Sequence, residues 1–298
     1  VGFEIGRYLI GKGYKAIGVK YDVKRAKAEH YVASSVDEFI LSMGSKYIQS
    51  YTLSGFKEIN RKDKFLVSGT PCQIDSLRRY INKMKCQENF VLLDFFCHGV
   101  PSKFVWDKYI KEQQDKLGNI DFVSWRNKQN GWHDSWAMTI SPLDRGEVVD
   151  WYDSYNLLIK EKKGCVNSRW TQGDTFYNMF LGNNCLGKAC YKYCKFKYDH
   201  SSADIRIGDM WGETYAKEDK GVTACVAFTQ QGMDVLNNVN CELVEYPFAR
   251  VAEGQIKTKI KYPMGWSFVI FFAKLQSVSM KQLVFFSRII GKFNKIFK

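Results

Sequence analysis

The chain has 298 residues, enough for a full hydrophobic core and for two packed units, and its composition is that of an ordinary globular enzyme. Its formal charge of +13 is unevenly placed, because residues 254–298 hold nine Lys or Arg and no Asp or Glu. Such a tail favours contact with an anionic surface, and we expect no nucleic-acid partner. No apolar run reaches the roughly 20 residues that a membrane-spanning helix needs.

The first half of the sequence alternates strands and helices. The predicted elements are, in order, a helix over residues 1–10, a strand over 16–21, a helix from Ser34 or Ser35 to Met43, a strand over 65–68, a helix over 73–83, a strand over 90–96 and a helix over 102–117. Repeated strand, glycine turn and helix predict an α/β fold with a parallel-sheet core. Because the chain opens inside a helix and with Val, we expect it to be part of a longer polypeptide.

The second half predicts a more mixed, α+β arrangement. The predicted elements are a strand over 120–126, a hairpin insertion with arms over 135–143 and 147–152, a helix over 175–181, strands over 204–211 and 222–229, a helix over 230–239, a strand over 241–246 and a helix over 281–298. No repeat or low-complexity tract interrupts them.

Three cysteines lie within ten residues, at Cys185, Cys190 and Cys194. Thiolates in one short loop are the ligands that iron–sulfur clusters and zinc select. A four-thiolate site needs one more ligand, for which Cys72, Cys97 and Cys165 are the candidates. The odd total of nine cysteines and the absence of a secretory signal argue against a disulfide framework. Spacing alone leaves a cluster and a structural zinc ion equally open.

Two turns at the ends of predicted parallel strands carry a cysteine where a helix begins. The first contains Ser68, Gly69, Thr70, Pro71, Cys72 and Gln73, and the second contains Cys97, His98 and Gly99. Free amides and the helix dipole favour an anion at such a position. A tight structural turn would explain the glycines but not both thiols, so we interpret the two turns as parts of one site.

Three further segments are candidates for binding a phosphorylated, planar ligand. They are the turn with Ser45, Lys46 and Gln49, the basic segment with Arg126, Lys128 and Trp132, and the strand end with Gly208 and Asp209. Cations and hydroxyls suit phosphate, an indole suits a ring, and a carboxylate suits a sugar hydroxyl. A solvated loop and a turn-capping aspartate are the structural alternatives.

These motifs together resemble the coenzyme F420 hydrogenase/dehydrogenase beta-subunit family. The resemblance is carried by residues 44–50, 68–73, 97–102, 126–132, 185–194 and 203–212. It implies a cytoplasmic iron–sulfur flavoprotein oxidoreductase that passes electrons between a [4Fe-4S] cluster and FAD. The acceptor it implies is a small molecule, which is coenzyme F420 in some members, and it implies a redox partner protein or subunit. No side chain need act as a catalytic acid or base.

The implied organisation has three regions: an α/β flavin- and coenzyme-binding region over 1–160, a cysteine-rich region over 161–250, and a basic tail over 251–298. The sequence departs from the family in lacking a cysteine-rich ferredoxin-like domain before Cys72, and in having three residues between Cys190 and Cys194 where two are usual. The competing hypothesis is a zinc-stapled, non-catalytic scaffold in a polysaccharide or membrane-associated assembly.

The tail combines charge with an apolar pattern. Leu283, Phe286, Ile290, Phe293 and Phe297 recur at helical spacing among Lys and Arg residues. We expect an amphipathic helix that either lies on the anionic inner face of a membrane, docks a partner subunit, or packs on its own domain.

Overall fold

A computed structural model describes residues 1–127, 132, 137–141, 165–166, 174–218 and 220–296. Its central feature is a seven-stranded, mostly parallel sheet, which confirms the predicted α/β class. The strands, in sheet order, are β10 (Thr223–Ala227), β9 (Ile205–Asp209), β5 (Phe90–Phe95), β4 (Phe65–Ser68), β1 (Lys15–Asp22), β2 (Lys27–Ala33) and β3 (Ser50–Tyr51). β1, β4, β5 and β9 run parallel, so their carboxyl ends share one edge of the sheet.

Helices cover both faces of this sheet. The helices of the first half are α1 (Gly2–Gly11), α2 (Val36–Ile40), α3 (Leu53–Phe56), α4 (Pro71–Met84) and α5 (Lys103–Leu117). Those of the second half are α6 (Thr175–Leu181), α7 (Lys188–Lys192), α8 (Gln230–Asn238), α9 (Phe248–Val251), α10 (Trp266–Lys274) and α11 (Met280–Ile296). α1 and α8 bury Ile5 and Val235 on one side, and α4 buries Ile74 and Leu77 on the other.

A second, three-stranded antiparallel sheet consists of β6 (Phe122–Asn127), β7 (Ala137–Ser141) and β8 (Cys165–Val166). The predicted strand over 135–143 thus exists, but it pairs with β6 and β8. The predicted second arm, over 147–152, lies outside the described residues.

Strands β9 and β10, from the second predicted region, complete the sheet begun by residues 15–95. The division at residue 160 stays a prediction.

One predicted strand is absent, and several elements were not predicted. Residues 241–246 form no strand, and this exposed segment pairs with no strand among the described residues. The elements that were not predicted are the helices α3, α7, α9 and α10 and the strands β2, β3 and β8. β2 follows a tight turn and pairs antiparallel with β1, and α10 lies in a run of apolar residues too continuous to show a helical period. Within the described part of the chain, every helix falls short of what crossing a bilayer requires.

Candidate functional site

The carboxyl ends of the parallel strands open onto a cavity of about 990 Å³. The turns after β4, β5 and β9 form its walls, as expected for ligand sites of parallel α/β sheets. The predicted residues that line it are Ser45, Lys46, Ser68, Gly69, Thr70, Gln73, Cys97, His98, Arg126, Gly208 and Asp209. Five segments that are far apart in the sequence therefore meet at one opening.

The first cysteine turn is held by a capping box at the start of α4. The Gln73 side-chain oxygen accepts hydrogen bonds from the amide and the hydroxyl of Thr70, each at 2.9 Å. The Gln73 amide donates to the Ser50 hydroxyl at 3.1 Å, and the Thr70 hydroxyl lies 3.3 Å from the Cys72 sulfur. Pro71 is the first helical residue, so the helix begins at a fixed place beside the cavity.

The second cysteine turn is tied to the cysteine loop through the main chain. The Ser102 amide donates to the Cys185 carbonyl and the Gly187 amide donates to the Val100 carbonyl, both at 2.7 Å. Gly99 has φ +145°, and a β-carbon there would lie 2.7 Å from the Leu186 side chain. This close approach requires glycine at residue 99 and brings the Cys97 turn against the loop.

Three other thiols lie within electrostatic range of the Cys97 thiol. Those of Cys72, Cys190 and Cys194 influence the pKa of Cys97, and those of Cys72 and Cys194 influence the pKa of Cys190. Burial raises the pKa of Cys97 to about 12, an effect that Lys197 opposes. The Val100 amide also donates to the Cys190 sulfur at 3.5 Å. The four thiols come from two strand ends and one loop.

Cys185 is placed apart from these four thiols. Its side chain is fully buried among the apolar core residues around Phe176 and Leu186, and burial alone raises the pKa of its thiol. Its main chain still positions the loop through Ser102. The backbone of Cys165 lies in β8, and its side chain lies outside what the structure describes.

Lys197 places a buried positive charge against the Cys97 turn at the cavity wall. The residue is 8% exposed, lines the cavity, and donates hydrogen bonds to the carbonyls of Cys97 and His98. Among the residues that the structure describes, no carboxylate forms an ion pair with it. A buried cation without an acidic partner creates a positive potential that favours an anion nearby.

His98 follows Cys97 in the same turn and also lines the cavity. Its ring is 2.8 Å from the Asn183 side-chain oxygen and packs edge-on against Phe180. Burial lowers the pKa of His98, so the neutral imidazole is favoured. Asn183 has φ +59° and Tyr198 has φ +56°, and both residues line the cavity. Strained backbone at two lining positions is typical of a functional site.

The basic segment and the β9 turn interlock. Arg126 and the Trp132 indole donate to different oxygens of Asp209, the latter at 3.0 Å. Trp132 is fully buried and stacks on Trp211 with ring centres 5.5 Å apart, whereas Trp211 lines the cavity. The ring positioned to contact a ligand is therefore Trp211, and Trp132 supports it. Lys128 lies outside the described residues.

Lys46 caps the end of α2. Its ammonium donates to the carbonyls of Leu41, Ser42 and Met43, and burial lowers its pKa to about 7. All three of its protons are thus directed to the main chain. Ser45 is exposed at the cavity, whereas Gln49, also exposed, does not line it.

Several lining residues were missed by sequence reasoning. They are Tyr47, Phe96, Phe180, Asn183, Lys197, Tyr198, Trp211 and Gln255. Trp211 and Lys197 each adjoin a motif and were open to inference, but Asn183 and Gln255 reach the cavity only through tertiary packing. Pro71 and Gly99 act on the turns and do not line the cavity.

Comparison with known proteins identifies the family. A family model for the C terminus of the coenzyme F420 hydrogenase/dehydrogenase beta subunit matches residues 62–246, well over half of the chain. The chain belongs to this family. Among solved structures, the F420-reducing [NiFe] hydrogenase complex from Methanosarcina barkeri contains a chain of similar fold. It has a TM-score of 0.51 and 16% identity, over 100% of this chain and 86% of that chain. No curated protein matches the sequence.

Membership of the F420 hydrogenase/dehydrogenase beta-subunit family confirms the resemblance seen in the motifs. The matched residues include both cysteine turns, the cysteine loop and the Gly208–Asp209 turn, whereas the Ser45–Lys46 turn precedes them. The family marks the chain as a relative of oxidoreductase subunits. The likeness to the hydrogenase chain, at this identity, bears on the fold alone.

Proposed function

We propose that this protein is an iron–sulfur flavoprotein oxidoreductase that binds a [4Fe-4S] cluster beside FAD. The observation that carries the proposal is the position of Cys97. Cys97 lines the large cavity, and its thiol lies within electrostatic range of the thiols of Cys72, Cys190 and Cys194. A redox centre held by these thiols would adjoin whatever the cavity binds.

The proposed cluster ligands are Cys72, Cys97, Cys190 and Cys194. This set includes both turn cysteines and leaves Cys185 in the apolar core, unlike the set expected from spacing. Four soft thiols are the donor set of a four-iron cluster. A single zinc ion bonds each sulfur at about 2.3 Å and would need the thiols closely gathered. The described residues contain no group of three or more His, Cys, Asp or Glu side chains arranged to hold one metal ion.

The cavity suits a flavin dinucleotide in size and in lining. About 990 Å³ lies at the upper end of the usual range for ligand pockets, roughly 300–1,000 Å³. The start of α4 at Thr70 offers an anion site for phosphate, and Phe96 and Trp211 offer ring faces. When bound, the cluster would transfer single electrons, and the flavin would couple these one-electron steps to the transfer of a hydride.

The chain's own residues would bind and orient these groups. Lys197 would balance the negative charge of the cluster and its thiolates, and the turn over 97–102, fixed by Gly99 and Ser102, would hold Cys97 in place. His98, kept neutral by burial and oriented by Asn183, would present a ring nitrogen to Asn183 and a polar edge to the cavity.

We further propose that the acceptor is coenzyme F420 or another small organic molecule, and that a redox partner subunit exchanges electrons with the cluster. Cys72 is exposed, so the cluster would lie near the surface where a partner can approach. The eight described cysteines are all free thiols, which suits a reducing compartment, and we propose that the protein works in the cytoplasm.

The test is anaerobic purification followed by visible spectroscopy and by measurement of iron, sulfide and zinc. We expect a brown protein that contains iron and sulfide. Cys72→Ala, Cys97→Ala, Cys190→Ala and Cys194→Ala should each lose iron, because an open ligand position destabilises the centre. Cys185→Ala should retain it. Cys241→Ala, which changes a half-buried cysteine outside the group, is the matched control. Iron near the wild-type level in both Cys190→Ala and Cys194→Ala, or a colourless zinc protein, would overturn the cluster assignment.

FAD titration of the iron-loaded protein tests the flavin. Saturable binding should weaken in His98→Ala and stay unchanged in Gln114→Ala, an exposed position on α5. Reduced, loaded protein should then bleach coenzyme F420. If neither FAD nor FMN binds, the hydride-transfer function is wrong. If FAD binds but coenzyme F420 is untouched, the acceptor is a different organic molecule.

A further inference from the structure

The last two helices expose an aromatic face that the redox function does not use. α10 and α11 pack on the body of the protein through Val269, Ala273, Met280 and Leu283, all of which are buried. Their other sides leave large rings in solvent. Phe268 is 63% exposed, Phe271 57% and Phe285 60%, with Met264 at 74%. Grouped exposed rings of this size mark a binding surface.

We define the exposed surface by Met264, Phe268, Phe271, Phe285 and Ile289, of which Phe268 and Ile289 line a shallow apolar groove. The groove has a volume of about 280 Å³ and is floored by Phe272, Phe286 and Ile290. Ring contacts connect Phe271 to Phe272, Phe272 to Phe286, and Phe286 to Phe285. Phe271 and Phe285 are therefore connected through the half-buried rings of Phe272 and Phe286 and are not isolated side chains.

The apolar stripe read from the sequence is not this surface. Leu283 is fully buried and Phe286 is half-buried against Phe272, so that stripe mainly packs the helix onto the domain. The exposed face of α11 is offset from it. Phe285 lies one turn from both Lys281 and Arg288, which are also exposed.

Charge identifies the occupant. Residues 254–298 contain nine Lys or Arg and no acidic residue, and Lys257, Lys259, Lys261, Lys274, Lys281 and Arg288 are exposed. Helices with outward aromatic rings flanked by cations are typical of peripheral membrane contact, since the rings enter the headgroup boundary and the cations meet anionic lipid. A surface that binds a protein partner usually carries both positive and negative residues. The α10–α11 face has no acidic residue that could pair with a partner's cations.

We propose that the α10–α11 face binds an anionic phospholipid surface, with Phe268, Phe271 and Phe285 inserted at the headgroup level and Lys281 and Arg288 beside them. The contact is peripheral. It is independent of the oxidoreductase proposal.

The experiment is sedimentation of the full, cofactor-loaded chain with vesicles of phosphatidylcholine alone and with added phosphatidylglycerol. We expect binding only with the anionic lipid, and release by salt as screening increases. The double variant Phe268→Ser/Phe285→Ser should bind at least about tenfold more weakly, because two exposed rings no longer enter the interface. Lys281→Glu should also reduce binding and make its salt dependence shallower, because fewer cations then meet the anionic lipid.

Matched controls separate this surface from general effects. Tyr80→Ser removes a ring that is 52% exposed on α4, and Lys83→Glu reverses an exposed charge on the same helix. Both should bind vesicles like the wild type. Unchanged circular dichroism and iron content in the Phe268→Ser/Phe285→Ser variant show that its loss is not unfolding.

Three results would overturn the proposal. The first is absence of binding to anionic vesicles at low salt, which would leave a protein partner as the occupant. The second is equal binding by the phenylalanine variant and the wild type. The third is a dimer that becomes a monomer in Phe285→Ser with vesicle binding unaffected, which would assign the face to a second copy of the chain. Iron and flavin content is measured separately, so failure here leaves the redox proposal intact.

Discussion

Two buried cations from one stretch of chain have opposite surroundings. Arg206, on β9, is fully buried and forms two hydrogen bonds with Asp94, also fully buried, at 2.7 and 2.8 Å. It also donates to the carbonyls of Tyr198 and His200. Lys197, nine residues earlier, is almost as buried, and its side-chain hydrogen bonds within the described part of the chain go to the carbonyls of Cys97 and His98 alone.

This difference in pairing indicates a structural role for Arg206 and a functional role for Lys197. The Arg206–Asp94 pair balances its own charge and fixes the segment that carries Lys197 to the end of the sheet. Lys197 places a positive charge at the cavity wall, within electrostatic range of Cys97 and Cys190, and no described carboxylate pairs with it. A fold gains nothing from an unpaired buried charge, so the arrangement is explained best by an anionic group that the protein binds.

Removing Arg206 should have the largest effect. Arg206→Met leaves the Asp94 carboxylate buried without its partner, and we expect the free energy of unfolding to fall by about 3–5 kcal/mol. Urea denaturation measures this change. Arg79→Met is the matched control, since Arg79 is largely exposed in its pair with Asp75, and it should cost less than about 1 kcal/mol.

The double variant Asp94→Leu/Arg206→Met sharpens this result. Both charges are then absent, and much of the lost stability should return. If the free energy of unfolding of Arg206→Met alone equals that of the Arg79→Met control, the Arg206–Asp94 pair does not stabilise the fold.

Asp174 extends the comparison to a buried acid. Its oxygens accept hydrogen bonds from the Tyr177 amide at 2.8 Å and the Tyr109 hydroxyl at 2.6 Å, and burial raises its pKa to about 6 from an ordinary 3.8. A raised pKa in the folded state means that the protonated carboxyl favours folding. This contribution is full below pH 3.8 and is lost as the pH rises through about 6.

Asp174→Asn tests that dependence. The stability of the wild type relative to this variant should fall by about 2–3 kcal/mol between about pH 4 and pH 7, because only the wild type must ionise a buried group. Urea denaturation at intermediate pH values measures the difference. A difference independent of pH would show that Asp174 is ionised in the folded protein throughout.

Lys197→Met should have the smallest effect on folding. Its hydrogen bonds to two carbonyls are lost, but an unpaired buried charge is removed as well, so we expect a change of about 1 kcal/mol in the apoprotein. Lys195→Met, at an exposed position two residues away, should change nothing.

The same variant should retain iron and sulfide less well than the wild type after reconstitution, since the counter-charge for the cluster is gone. A stability loss as large as that of Arg206→Met, with normal iron content, would make Lys197 a structural residue and end the contrast between the two cations.

Local sequence patterns predicted much of the sheet. The strand over 65–68 and the helix over 175–181 were predicted to the residue, because compact apolar runs there are bounded by clear turn and capping residues. The strand predicted over 241–246 was wrong, since an apolar pattern forms a strand only where a neighbour pairs with it. β2 was missed because its pairing with β1, and not its composition, makes it a strand.

The site was predictable as a set of turns but not as a geometry. Glycine and cysteine after two strands indicated where the turns lie, and parallel pairing brought them together. Which thiols face one another depends on main-chain contacts between distant segments, and the sequence could not show that Cys185 is enclosed while Cys72 is exposed. Similarly, Trp132 and Trp211 look alike in sequence, and only packing reveals which one reaches the cavity.

The hydrogen bonds between the Cys97 turn and the cysteine loop also bear on when the site can form. Val100 and Cys190, which contact each other, are 90 residues apart in sequence. Closing a loop of this length is slow relative to forming a local helix, and during synthesis it must wait until the second segment has left the ribosome. The helices α1–α5 and the strands β1–β5, which precede the cysteine loop in the chain, can therefore assemble well before all four thiols meet. Metal loading would then be a late event, carried out on a chain that has already built most of its sheet.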